Sequence, residues 1–289
     1  MKKGYLYAVL SSVLFGSAGI FVNFAYKLGL NSINLLMLQY IISVAFMLIF
    51  IVIYNRKYLA VTKNEIIRLI IMGAILNTLM TLFYYNAFNY LSVSMVTLLL
   101  YTFPSIVFIY KVIFKGYKIN IKNISALIIA FLGCILSLNI IGEGKVLNIK
   151  GIIFGMLASF FYALLNIYAE EKLKDIESLT INFYTYIFSL ASLIIINRDI
   201  KIYSSLNLSA FAEVGLFSIL GGILPMVFLF LAIKKIGAFK TSVISNIEIP
   251  SAIILSVIIL REKISIIQIL GGIMIILSIL ILNNNKRYL

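Results

Sequence analysis

The 289-residue chain has no histidine, one cysteine, three prolines and only 10 acidic residues. Without histidine it lacks the commonest metal ligand and the commonest general base. Its one cysteine, Cys134, lies inside an apolar stretch, so there is neither a disulfide framework nor a thiolate metal site. Charged residues make up 12% of the chain against 63% hydrophobic ones, too little polar material to cover a soluble globule of this size. The chain therefore reads as an integral membrane protein. It has no Gly-x-Ser-x-Gly turn, no paired acids within its apolar spans and no phosphate-binding loop. Those absences argue against an enzyme and leave an ion gradient or the substrate's own gradient as the energy source.

What the chain does have is ten apolar stretches, at 4–25, 34–54, 69–88, 93–113, 124–141, 151–169, 179–196, 214–233, 241–260 and 266–282. Each is predicted to be a membrane helix, since about 20 residues at 1.5 Å rise cross the hydrocarbon of a bilayer. The first could pass for a secretory signal behind Lys2 and Lys3, but the same pattern recurs in mid-chain, where no signal can be. Basic residues total 24 and are scattered between the spans, which excludes a nucleic-acid face. With the N-terminus in the cytoplasm, seventeen of them fall on that side. Seven, Lys27, Lys145, Lys150, Arg198, Lys201, Arg261 and Lys263, fall on the other. This bias predicts both termini inside, in a plasma (inner) membrane.

The stretches from Gly4 and from Gly151 align without a gap, pairing Gly4 with Gly151, Ala8 with Gly155, Ser12 with Ser159, Phe15 with Tyr162 and Gly19 with Asn166. Those positions share one helical face. Pro104-Ser105 matches Pro250-Ser251, and Lys118-Ile119 matches Lys263-Ile264, at a nearly constant spacing. The expected fold is all-α, ten transmembrane helices as a 5+5 inverted repeat, with units 1–145 and 146–289. Five spans per unit is odd, so the units cross the membrane in opposite senses, and a site is expected near the midplane between them.

Span 241–260 has one ionisable group, Glu248, near mid-membrane. A carboxylate there costs about 2.5–3.5 kcal/mol on insertion scales, so it should face the interior or water, or stay protonated. It is read as pairing with a cationic or amine-bearing substrate or as carrying a proton. The structural alternative is a permanently protonated Glu248 hydrogen-bonded to Ser245 or another polar neighbour as a tie. Other candidate cavity groups are Asn77, Thr81, Tyr84 and Tyr85 in span 3, and Thr97, Tyr101 and Ser105 in span 4. Spans 6 and 9 add Tyr162, Asn166, Ser245 and Asn246. Helix packing competes for the Ser and Thr positions, and interfacial anchoring competes for Tyr84 and Tyr85. Pro104, Pro225 and Pro250 all fall inside spans and are read as hinges, with Pro250 leaving the Asn246 carbonyl without its helical donor. Gly133, Gly271 and Gly272 read as packing contacts or as the seam of a homodimer through spans 5 and 10.

The chain resembles the EamA-type branch of the drug/metabolite transporter superfamily over essentially its whole length. The five-plus-five layout carries the likeness, with the Ala232-to-Ala238 turn leading to Thr241-Ser242, the Glu248-Ile249-Pro250 kink, and Arg261-Glu262-Lys263-Ile264 before Gly271-Gly272. The resemblance implies an inverted-repeat bundle, a central cavity lined by spans 1, 3, 4, 6, 8 and 9, and movement of small metabolites, commonly outward. The chain departs from the family pattern at Asn34 and Gln39, where Pro and then Arg are usual, and at Arg261, where Gly is usual. The expected function is a secondary transporter working by alternating access, exporting amino acids or related compounds, with no cofactor beyond a coupling proton. The alternatives are a facilitator or importer of a quaternary amine such as choline, suggested by 18 Tyr and 21 Phe around one deep carboxylate, and a lipid flippase.

Overall fold

A computed structural model describes residues 2–27, 32–139, 148–196, 208–261 and 263–283. Among the basic residues counted for orientation, Lys145, Arg198, Lys201, Lys286, Arg287 and the side chain of Lys27 lie outside the described residues, as does Glu262.

Every regular element among the described residues is helical. In chain order they are α1 (Lys2–Lys27), α2 (Ser32–Tyr54), α3 (Lys63–Ile70), α4 (Thr78–Ala87), α5 (Val93–Leu100), α6 (Phe103–Lys115), α7 (Ile121–Ser137) and α8 (Ile149–Lys172). The remainder are α9 (Ser178–Ile196), α10 (Leu208–Phe217), α11 (Leu224–Ser245), α12 (Glu248–Leu255) and α13 (Ile266–Asn283). Three wide π-turns are set into this series: Ile71–Asn77 joins α3 to α4, Ser218–Ile223 joins α10 to α11, and Ser256–Leu260 follows α12. Among the described residues six stretches are long and apolar enough to cross a membrane: Ile33–Tyr54, Lys63–Ala87, Val93–Lys115, Ile149–Lys172, Ser178–Ile196 and Phe211–Ser245. Large apolar side chains on the periphery, such as Ile53, Ile195, Ile258 and Ile266, are exposed, as lipid-facing rows require.

With no hydrophobic force between helices in lipid, packing rests on small residues that let backbones approach. α1 lies along α11 and α12, and α8 lies along α4, α5 and α6. The contacts run in parallel. A Cβ on Gly4 would strike Ile236 and Lys235, and a Cβ on Gly151 would strike Leu91 and Tyr90. Likewise the π-turn Ile71–Asn77 packs on α9, whereas Ser218–Ile223 packs on α2. α7 and α13 meet along their length, where Gly133 and Gly271 set backbone against backbone: a Cβ on Gly271 would lie 2.4 Å from the Ser137 nitrogen. Gly272 lies against Pro250. These glycines are thus occupied within the chain, which favours the packing reading over the dimer seam.

All three prolines stand in the first turn of a helix. Pro104 opens α6 after a break at Tyr101-Thr102, Pro225 opens α11 after a π-turn, and Pro250 is the third residue of α12 after a break at Asn246-Ile247. First-turn amides after a break have no partner within the helix, so proline costs little at Pro104 and Pro250, whereas before Pro225 the backbone stays helical through Ile223. The expectation that Pro250 strands the Asn246 carbonyl is therefore corrected. That oxygen accepts the Ile249 amide at 3.2 Å, and Ser251 donates to Ile247 at 3.0 Å, so the break is closed by a tight turn. Where the family pattern has Gly, Arg261 adopts φ 57°, a left-handed conformation that a side chain opposes.

A candidate site between two interrupted helices

The two breaks place Tyr101 as the residue that ends α5 and Glu248 as the residue that begins α12. They come together: Tyr101 stands beside the Glu248 carboxyl, close enough for each to act on the other. Tyr162 of α8 stands within electrostatic reach of Glu248, and Tyr84 of α4 is near both Tyr101 and Tyr162. Phe103 backs the group, with its ring centroid 4.4 Å from that of Tyr162 and 6.3 Å from that of Tyr101. Tyr101 is buried, whereas Glu248, Tyr162 and Tyr84 keep part of their surface exposed. Among the described residues Glu248 makes no ion pair.

Glu248 owes its position to close packing of α1. A Cβ on Gly16 would come within 2.9 Å of the Glu248 carbonyl oxygen and 3.0 Å of the Ala252 nitrogen, so only glycine allows α1 this close to the start of α12. On the opposite side the Thr102 and Ser159 hydroxyls, 2.8 Å apart, tie the α5–α6 break to α8. Two helix interruptions facing each other across small-residue contacts leave a carboxylate and three phenols on one centre. Such a group can hold a cation by charge and aromatic faces, or hold and pass a proton.

The structure brings Glu248, Tyr101, Tyr162 and Tyr84 together, but takes up the remaining candidates elsewhere. Tyr85 packs edge-on to Tyr84 at 5.7 Å. Asn77 lies in the π-turn and donates to the Tyr40 hydroxyl and to Ser189 Oγ, both at 2.9 Å, in a separate buried polar layer with the Tyr40–Tyr186 stack. Asn246 turns towards α7: its Oδ1 accepts from Cys134 Sγ at 3.7 Å, and its Nδ2 donates to the Val243 carbonyl. Ser245 bonds back to the Thr241 carbonyl at 3.1 Å. Asn166 is fully buried and donates to the Tyr162 carbonyl, with its Oδ1 unpartnered among the described residues.

Sequence reasoning missed Glu170 and Glu171 at the end of α8. Glu170 pairs with Lys111 at 2.6 Å and accepts the Ala238 amide at 2.9 Å. Glu171 pairs with Lys115 at 2.8 Å and accepts from Tyr110 at 3.1 Å. The signal was present, since carboxylates in the last turn of a helix oppose its macrodipole and need an outside partner.

Comparison with known proteins agrees with this architecture. Over 93% of its length the chain is 23% identical to a protein of Bacillus subtilis (strain 168) named uncharacterized transporter YcbK, covering 88% of that protein. It is also 23% identical, over 99% of its length and 95% of the relative's, to an uncharacterized transporter of Clostridium kluyveri. A solved crystal structure superposes with a TM-score of 0.80 at 11% identity, covering 99% of this chain and 98% of that one, a likeness of fold alone. The model of the EamA-like transporter family matches twice, over residues 2–139 and 149–284. The chain is an all-helical, multi-pass membrane protein and belongs to the EamA-like transporter family.

Proposed function

We propose that the chain is a secondary transporter working by alternating access, with ten spans forming two inverted five-helix units, 1–145 and 146–289. The parallel contacts of Gly4 and Gly151, and of the two π-turns, support the repeat. The observation that carries the function is the meeting of two interrupted helices at Glu248 and Tyr101, the kind of broken-helix centre that holds substrates and coupling ions at the midplane of inverted-repeat carriers. Both termini lie in the cytoplasm, and the membrane is the plasma membrane. The substrate is a small amine-bearing metabolite, an amino acid or a related compound, moved outward, with its ammonium on Glu248. The coupling ion is a proton carried by Glu248 when substrate is absent. A homodimer through α7 and α13 would use outward rows such as Ile128 and Ile269, since the glycines face inward.

A second reading, carriage of a quaternary amine, is favoured by the three tyrosines and Phe103 around one carboxylate, because aromatic faces attract a methylated cation that cannot donate hydrogen bonds. Counterflow in proteoliposomes tests both. Saturable exchange of labelled amino acids supports the first reading, and saturable exchange of choline-type amines supports the second. Absence of saturable exchange in either class, from protein that remains folded, would overturn the site assignment.

A further inference from the structure

The helix that leads to Glu248 is broken one other time. At Gly237, φ is 82° and ψ is 162°, and α11 resumes at Ala238. A helix start leaves amides without internal partners, and these are normally met by a local Ser, Thr, Asp or Asn cap. The corresponding start in the first half, that of α5, has such a cap: Ser92 Oγ accepts the Met95 amide at 3.3 Å. The second half has Gly237 at the cap position, with no side chain to offer, and the partner of the Ala238 amide comes from 68 residues away as Glu170 Oε2. Gly237 makes room for it, since a Cβ there would stand 3.1 Å from Glu170 Oε1.

The other oxygen of the same carboxylate holds Lys111. One side chain therefore joins α6, α8 and α11, three of the elements that carry or lead to the Glu248 centre. Tyr162 lies two turns before Glu170 on α8, α6 follows the Tyr101 break, and α11 runs on to the Asn246 break. Glu171 doubles the tie to α6 through Lys115 and Tyr110. The Lys111 and Glu170 side chains keep 14% and 25% of their surface exposed, so water can take over either partner when the clamp parts. A local cap would steady α11 and nothing else, whereas a remote one makes the start of this helix conditional on where α8 stands.

We propose that Glu170 is the positioning residue of a gate at the Gly237 end: bound to Lys111 and to the Ala238 amide it holds that end shut, and release of the amide opens it. The inference rests on the transport reading, but its first test needs no substrate. In a Cys134→Ser background, spin labels at Lys174→Cys and Lys240→Cys report the distance between the end of α8 and the part of α11 that resumes at Ala238. Wild-type protein is expected to give one narrow short distance, and Glu170→Ala, which leaves the Ala238 amide without its acceptor, a second, longer population. Lys111→Gln keeps that acceptor and should stay short, and a longer population there would overturn release of the amide as the opening step. The charge swap Lys111→Glu/Glu170→Lys restores the ion pair but supplies no acceptor for the amide, so the longer population should appear. A distribution unchanged from wild type in Glu170→Ala or in the swap would overturn the proposal. In counterflow the gate reading expects Glu170→Ala to change maximal exchange several-fold with little change in half-saturation. A change confined to half-saturation would assign Glu170 to binding and overturn the gate.

Discussion

Tyr101 and Glu248 face each other across the ends of two different helices, one closing α5 and the other opening α12. Any shift of one interrupted element against the other must therefore change the distance between them. The site is thereby linked to the relative position of the two halves of the chain.

Replacing Glu248 by Gln keeps shape and hydrogen bonding while removing the charge. If an amine pairs with the carboxylate, binding should weaken roughly 30-fold or more, the fold-change of the ~2 kcal/mol or more lost with a desolvated charge pair. If the residue carries the coupling proton, pH-driven net flux should vanish while exchange at equal pH persists. Binding isotherms and proton-driven flux on this one variant separate the two roles, and unchanged values in both would remove Glu248 from the mechanism.

Gly16 and Pro250 should respond in opposite degree. A side chain at Gly16 must enter the space of the Glu248 carbonyl, so Gly16→Val is expected to cost about 1–3 kcal/mol of stability or displace α12, with loss of transport. Pro250→Ala adds one amide in a helical first turn whose Asn246 acceptor is already used, so it should change stability by less than about 1 kcal/mol. Thermal unfolding of the two variants in detergent, beside flux, checks the order.

Arg261 is the reverse case, a bulky residue where the backbone favours glycine. Relief of a left-handed conformation that costs about 1–2 kcal/mol, less the entropy glycine adds to the unfolded chain, leaves Arg261→Gly more stable by up to about 1 kcal/mol. A raised melting temperature with unaltered transport is the expected result.

Orientation is tested by single cysteines at exposed ends in a Cys134→Ser background. An impermeant thiol reagent applied to intact cells should label Lys263→Cys and spare Lys57→Cys and Lys118→Cys, as the basic-residue bias requires. Labelling of the opposite set would reverse the topology.

Hydropathy made the helical stretches legible, because a bilayer demands long apolar runs whatever the substrate. Glu248, Tyr101 and Tyr162 were legible for a related reason: a polar group so deep must find company inside. Asn77 and Asn246 carry the same signal, yet one serves Tyr40 and Ser189 and the other faces Cys134, because depth tells that a partner is needed and not which neighbour supplies it. A proline that bends a helix and one that begins a helix look alike in a string of letters. The interruptions at Tyr101 and Asn246 were therefore hidden behind Pro104 and Pro250. Glu170 was hidden by its place at the end of a span, where a charge reads as the boundary with water.

The π-turn Ile71–Asn77 holds one residue more than a regular helix would use over the same rise. Since each residue advances the helix by about 100°, that surplus sets the compass bearing of everything after it, including Tyr84. Straightening the turn into a regular helix of the same residues would swing Tyr84 off Tyr101 and Tyr162 by about 100°, whereas deleting one residue from it would restore a regular ladder and leave that bearing unchanged. The matching turn Ser218–Ile223 sets the bearing of α11, and through it the direction from which Gly237 and Ala238 meet Glu170. Each of the two turns is thus an angular setting, and a substitution that straightens one without shortening it should retune the centre without touching any residue that lines it.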